Sequence, residues 1–447
     1  MSRLRRKALD YQGGGGPIAR TSESSRQMRQ SPLSVWSLIF VLALLFPLRL
    51  DYAWWFFSTV SILEVVLSGL FFVVMFVAVL RGRIDLGDRR VFVLLALPVL
   101  FAIASLAWSI ELRETIKSIV VYGAALATFL VTVALLKDVS VRALVLLVLL
   151  LPIALIVTAV LSYLPNSVLR PELVMPSGVL LQDGFVLSYR ARFSHPFLGL
   201  SNSFATILAM LLPLVLLVRR LGFLRQWSWF VAVLTLAAVI ATGSRGVILA
   251  VVLAFGVVFF WRLVLRGRVP LRGIFLMIVA AVLAAGFIWG NPVAREYLAD
   301  RVSTRNIESR LHAFSAAFEV LRGHPQGVGS GVYLGSVSDV PLRSVHNSYL
   351  QNLLWFGWVA GLLLTIAMWF LPLVILRMRT LTEPARYVKQ ALALSVLTLL
   401  FINLSQASWE GSVIRIWVYF LIALGVMVVR QVDRASRGKA ISEGGYA

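Results

Sequence analysis

Residues 142–162 read RALVLLVLLLPIALIVTAVLS. After Arg142 the stretch holds no charged side chain. About 20 apolar helical residues cross the hydrocarbon core of a bilayer, so this segment has the length and chemistry of one membrane span. The pattern recurs along the chain, in apolar runs at 33–48, 53–80, 91–110, 115–136, 142–162, 200–218, 227–242, 247–265, 273–290, 348–376, 389–405 and 413–430. Twelve such spans use about 240 residues. The 447-residue chain is 60% hydrophobic and only 14% charged, with mean hydropathy +0.89. A soluble fold could not bury that much apolar surface, which excludes a soluble enzyme and a disordered chain. The expected fold is an all-α polytopic membrane protein with about 12 transmembrane helices. The first run is short, and the second is long and carries Glu64, the one ionisable side chain expected deep in the membrane.

Net charge is +22, from 42 Lys+Arg against 20 Asp+Glu. In a soluble protein that excess suggests nucleic acid. In a spanning protein it has a simpler cause, because cytoplasmic loops accumulate basic residues. Placing the N-terminus in the cytoplasm puts the basic turns on one side: Arg81 to Arg90, Lys137 and Arg142, Arg219 to Arg225, Arg262 to Arg272, and Arg377 to Lys389. No nucleic-acid partner is expected. Residues 1–32 lack the apolar core and cleavage site of an export signal and read as a flexible basic cytoplasmic tail. Helices 1–9 occupy 33–290 with an outer loop at 163–199. A large late outer loop fills 291–347, helices 10–12 fill 348–430, and 431–447 is a second cytoplasmic tail. The inner turns are short and the outer loops long, so recognition or chemistry is expected outside. There is no cysteine, hence no disulfide, thiolate metal site or cysteine nucleophile. No outer carboxylates form a close pair suited to a divalent cation, so no metal and no cofactor are expected.

The richest stretch for chemistry is 305–358, RNIESRLHAFSAAFEVLRGHPQGVGSGVYLGSVSDVPLRSVHNSYLQNLLWFGW. Leu311, Phe314, Phe318 and Leu321 recur at helical spacing, so 307–322 reads as an amphipathic helix, with Asn306 as its cap. Pro325 and the glycines at 327, 329 and 331 end it. Such a glycine run either frees backbone N–H groups to cradle phosphate or is a flexible turn before the next span. His346 stands two residues before span ten. It is either a proton-transfer group near neutrality or a polar neighbour of a cap supplied by Asn347 or Ser348. Arg245, in Thr242-Gly243-Ser244-Arg245-Gly246, lies at an outer turn and either meets an anion or snorkels to lipid phosphate. Arg190 and Arg192, before His195 and Ser201-Asn202-Ser203, suit diphosphate oxygens.

Taken in order, Asn202, Ser244-Arg245-Gly246, Ser309-Arg310, Pro325 with Gly327-x-Gly329, His346-Asn347-Ser348-Tyr349 and Gly357 resemble the O-antigen ligase and polymerase superfamily of bacterial envelope proteins, over about residues 190–370. The resemblance implies a metal-independent, inverting glycosyltransferase of the inner membrane, multi-pass, with both termini cytoplasmic and the late loop periplasmic. Its donor would be a polyprenyl-diphosphate-linked glycan. Its acceptor would be a second glycan, in polymerisation of O-antigen or exopolysaccharide, or lipid A-core, in ligation. It implies His346 as the general base. Arg245, Arg310 and Arg192 would bind the diphosphate, with Asn202, Ser244, Gly327, Gly329 and Asn347 in support. His312 and His195 are reserve candidates for the base. Membrane lipids, a chain-length regulator and a flippase are the expected partners. The alternative is a transporter or flippase of lipid-linked sugars. That reading asks for deep ionisable residues, broken helices or repeated halves.

Overall fold

The computed structural model describes residues 86–162, 201–221, 224–266, 304–338, 345–406 and 412–444, with isolated positions such as His195 and Leu198 between them. The predicted spans at 33–48, 53–80 and 273–290 lie outside the described residues, as do Glu64, Arg192 and nearly all of the 163–199 loop.

Every extended element among the described residues is helical. The order is α1 (Arg89–Ala104, continued by a 3-10 turn Ser105–Ala107), α2 (Leu112–Leu136), α3 (Val141–Ser162), α4 (Ser201–Val218), α5 (Arg225–Ala241), α6 (Arg245–Arg266), α7 (Thr304–Gly323), α8 (Ser348–Leu376), α9 (Glu383–Ser405) and α10 (Ser412–Gly444). Nine of the twelve predicted spans fall on these helices. Seven of the described helices are long and apolar enough to cross a membrane, and α5 and α6 are shorter apolar helices. The predicted amphipathic helix is α7. It begins at Thr304, so Asn306 sits in its first turn and not at the cap. Helix α10 runs on past residue 430, where a tail was expected. Asp433 explains part of that continuation: its carboxylate accepts from the N–H groups of Leu381 and Thr382 at 2.9 and 3.0 Å and pairs with Arg437 one turn on.

Helix α10 is the axis. Apart from Arg415 its side chains are apolar on all faces from Val413 to Val429, and nearly all are buried. It packs on α2, α9, α4 and α3, while α8 packs on α9 and α1. Helix α8 turns an apolar face outward, with Val359, Leu362, Leu363, Phe370 and Leu373 exposed. In a bilayer that face meets lipid tails.

The connections sort to two ends. Ser330 of the late loop touches Ser105 and Ser118, and Ser244 touches Asn202 and Gln406. These contacts gather the α1–α2, α5–α6 and α9–α10 ends, the start of α4, and the late loop. At the opposite end Asp433 meets Leu381 and Thr382, Gln431 meets Lys137, and Arg220 stacks on Tyr387.

At the first end a second, smaller core sits on the bundle. Ala313, Ala317, Val320 and Leu321 of α7 pack with Val328, Val332, Leu334, Val345, Leu350 and Leu354. Helix α8 therefore serves two bodies: its first turns support the small core and the rest lines the bundle. The division falls at Gly357, where φ is 77° and ψ 179° and the helix is broken. Only glycine occupies that region without strain.

Candidate functional site

The turn from α5 to α6 is built by short polar side chains. Thr242 Oγ1 donates to Val239 O and accepts from Ser244 N, Gly243 takes φ 63°, and Ile248 N donates to Ser244 O to open α6. Arg245 is thereby the first residue of α6 and is exposed. The buried Ser244 hydroxyl donates to Asn202 Oδ1 at 2.8 Å and accepts from Gln406 Nε2 at 3.0 Å. Gly246 lies so close to α9 that a Cβ there would overlap Ser405 Oγ.

The start of α8 is held to the same place. Asn347 Oδ1 accepts from Tyr349 N and Leu350 N at 2.9 and 3.0 Å, so Asn347 is the N-cap, and its Nδ2 donates to Leu404 O at 2.9 Å. Ser348 Oγ lies 2.9 Å from Gln406 O and 3.2 Å from Asn403 Oδ1. Tyr349 donates its hydroxyl to Leu400 O at 2.7 Å. Just before the cap, His346 is exposed with φ 53°, a left-handed conformation uncommon for a residue with a side chain. Gln406 thus joins the two halves: its amide meets Ser244 and its carbonyl meets Ser348. Arg245 and His346 each directly follow or precede a residue of this polar network. The N-termini of α6 and α8 both point to this end, and their partial positive charge adds to that of Arg245. An anion is favoured there.

The two candidate arginines of the loops fare differently. Arg310 is exposed on α7, with His312 exposed beside it. Helix α7 rests on α8, and Phe318 stacks on Trp358 with ring centroids 6.1 Å apart. Arg192 lies outside the described residues.

The glycine run is neither a phosphate cradle nor a loose turn. Gly327 N donates to His324 O, Val328 N to Leu354 O, Gly329 N to Trp355 O, Ser330 N to Ser105 Oγ and Val332 N to Gly329 O. Those N–H groups are spent on the protein and cannot meet phosphate. The helix break at Gly357 provides the acceptors, because a broken helix leaves carbonyls without their usual partners. Trp358 N, just past the break, donates to Pro325 O at 3.1 Å. A Cβ on Gly327 would stand 2.5 Å from Gly357 N and 2.6 Å from Trp355 O. Gly327 and Gly329 therefore seat the loop in the broken helix.

His195 is completely buried against the Phe204 ring, and its Nδ1 accepts from Leu198 N at 3.3 Å. Desolvation pushes its pKa down to about 3. Burial thus favours the neutral imidazole in the folded state.

Three residues escaped the sequence reading. Gln406, at the end of α9, bears no pattern that marks it. Trp355 looked like one more apolar residue of a span. Arg415 had a signal, a guanidinium inside the apolar run 413–430. It is 3% exposed, with its guanidinium 4.2 Å from the centre of the Tyr122 ring and 5.7 Å from that of Trp355. The broken helix and the buried cation are features that the transporter reading asks for. Among the described residues, backbone from 325–329 fills the break, and aromatic rings flank Arg415.

Fold and site together define a multi-pass membrane protein that gathers cationic and polar groups at one end of its bundle. Residues 230–365 match the family model described as O-antigen ligase. The matched segment includes Arg245, Arg310, Gly327, Gly329, His346 and Asn347, whereas Asn202, Gln406 and Arg415 lie outside it. No curated protein matches the chain.

Proposed function

We propose that this protein transfers a glycan from a polyprenyl diphosphate carrier to an acceptor hydroxyl at the periplasmic face of the bacterial inner membrane, in polymerisation or ligation of O-antigen or exopolysaccharide. The observation that carries this reading is the convergence on Gln406, which sets an exposed guanidinium and an exposed imidazole, both from the matched O-antigen ligase segment, around one polar network. The opposite end carries Lys137, Arg142, Arg219, Arg220, Arg377 and Arg379. By the positive-inside tendency it faces the cytoplasm, and the site end faces out, with both termini inside.

In the proposed reaction the acceptor oxygen attacks the anomeric carbon from the side opposite the diphosphate, which inverts that centre. The acceptor's proton passes to the His346 imidazole. The carbon–oxygen bond to the diphosphate breaks, and the electron pair leaves with polyprenyl diphosphate. Arg245 meets the growing charge through a bidentate guanidinium contact, helped by the N-terminus of α6. Arg310 and Arg192 supply further cationic contacts from the loops. Diphosphate leaves without protonation, so no general acid and no metal are needed. A chain-length regulator and a flippase are the natural membrane partners of such a transferase.

The test is reconstitution of the purified protein in lipid with a polyprenyl-diphosphate oligosaccharide, with EDTA present, and products sized on a gel. Longer glycans show polymerisation, and transfer appearing only when lipid A-core is added shows ligation. Donor unconsumed under both conditions contradicts the proposal, as does activity lost in EDTA and restored by magnesium.

A further inference from the structure

Arg415 stands three residues into α10, in Ser412-Val413-Ile414-Arg415-Ile416-Trp417. A cation among such residues is costly, and at 3% exposure it does not snorkel to water. Its guanidinium lies within cation–π range of two rings, Tyr122 of α2 at 4.2 Å and Trp355 of α8 at 5.7 Å. Both rings are buried, at 1% and 3% exposure. The contact therefore ties together three helices that enter the site end from different parts of the chain.

Trp355 is the residue through which this contact reaches the site. Its indole N–H donates to Val332 O at 2.9 Å, and its carbonyl accepts from Gly329 N at 3.1 Å. One residue thus holds the glycine loop by side chain and backbone, two positions before the break at Gly357. The helical segment above it, Ser348 to Trp355, is short and cut off from the rest of α8. It carries the Asn347 cap and, beyond that, His346. The seven helical steps from Ser348 to Trp355 make a lever about 10 Å long. A tilt of about 6° at Trp355 moves the tip by about 1 Å over that length. Misplacement of that size can cost about 10²-fold in rate.

We propose that Arg415 is a positioning residue: by clamping the Trp355 ring against Tyr122 it fixes the outer segment of α8, and through it the place of His346. This rests on the reading of His346 as the proton acceptor. Arg415 itself does not touch substrate. It lies outside the segment that matches the O-antigen ligase family, so the clamp is read from this chain's own packing.

The test uses the full chain in lipid, with Arg415→Met, Arg415→Lys and Tyr122→Leu. Arg415→Met should lower kcat by about 10²-fold while the KM for donor stays within about twofold. Arg415→Lys should recover only part of the rate, since an ammonium lacks the planar face that stacks on indole. A second readout is independent of turnover. The chain has no cysteine, so His346→Cys takes a single nitroxide. That label should become more mobile when Arg415→Met is added. If Arg415→Met fails to fold, Arg415→Lys and Tyr122→Leu must show the same split between kcat and KM and the same gain in mobility. Unchanged label mobility overturns the proposal, and so does wild-type kcat in the folded variants. A raised KM with intact kcat also overturns it, since Arg415 would then act in binding. If His346→Ala turns over like wild type, the catalytic reading fails, while the label still reports on the clamp.

Discussion

Replacing Gly357 by alanine should unseat the glycine loop, and the size of the effect follows from two competing responses. If the loop stays in place, alanine is held at φ 77° and ψ 179°, and its Cβ overlaps Gln326 C and Pro325 O. Strain in that region costs about 1–3 kcal/mol. Overpacking against backbone that cannot turn aside costs about 1–3 kcal/mol more. If the loop leaves instead, four backbone bonds are lost: Val328 N to Leu354 O, Gly329 N to Trp355 O, Trp358 N to Pro325 O and Ile110 N to Val328 O. At about 1 kcal/mol each, that costs about 4 kcal/mol. The lost bonds cost wild type and variant alike, whereas the seated-state penalties, about 2–6 kcal/mol together, belong to the variant alone, so in the lower half of that range the variant lies about 3 kcal/mol closer to the unseated state. This corresponds to about 10²-fold in the opening equilibrium. Hydrogen exchange read by mass spectrometry should show peptides covering Val328 and Gly329 exchanging about 10²-fold faster, while α10 peptides are unchanged. Wild-type exchange at 327–332 in a variant that folds and inserts would refute the seating.

Arg245→Lys keeps the charge but loses the two-pronged geometry, so donor turnover should fall at least about tenfold at unchanged membrane yield; equal turnover would assign Arg245 to lipid. Ser244→Ala leaves Asn202 Oδ1 and Gln406 Nε2 without their shared hydroxyl and should destabilise by about 1–3 kcal/mol. In a double-mutant cycle with Gln406→Ala it should be non-additive by at least about 0.5 kcal/mol, whereas strict additivity would dissolve the proposed network. The folded state holds His195 neutral, with a pKa of about 3 against an ordinary 6.5, so protonation favours the unfolded chain. That contribution to stability is complete above about pH 6.5 and is lost as pH falls toward 3, with a slope of up to about 1.4 kcal/mol per pH unit. His195→Gln should flatten the acid limb of a pH-stability curve, and an unchanged limb would contradict this assignment.

Much of this fold was legible because a bilayer allows few solutions. An apolar run such as 142–162 has to be a helix, and the observed α3 covers Val141–Ser162. Helix α7 was readable from its 3.6-residue periodicity, but its small core lies on a different face from the one the spacing marks: Leu311 and Phe318 are exposed, and Ala313, Ala317, Val320 and Leu321 pack inward. The glycine run was ambiguous in sequence because its N–H groups could face phosphate or protein. Only the break at Gly357, 28 residues after Gly329, supplies the carbonyls that decide it. Gln406 was invisible because its role comes from tertiary packing of α9 against two turns distant in sequence. Arg415 was visible and passed over: an arginine in an apolar run is a signal in itself, and its meaning depends on the two rings that α2 and α8 bring to it.

In the proposed transfer His346 accepts the acceptor's proton. The most direct test of this step measures donor binding and turnover on the same purified His346→Ala protein in lipid. The account predicts donor affinity within about twofold of wild type and turnover lower by about 10²–10⁴-fold, the usual worth of a general base. Turnover equal to wild type would reduce His346 to a neighbour of the Asn347 cap and contradict the account.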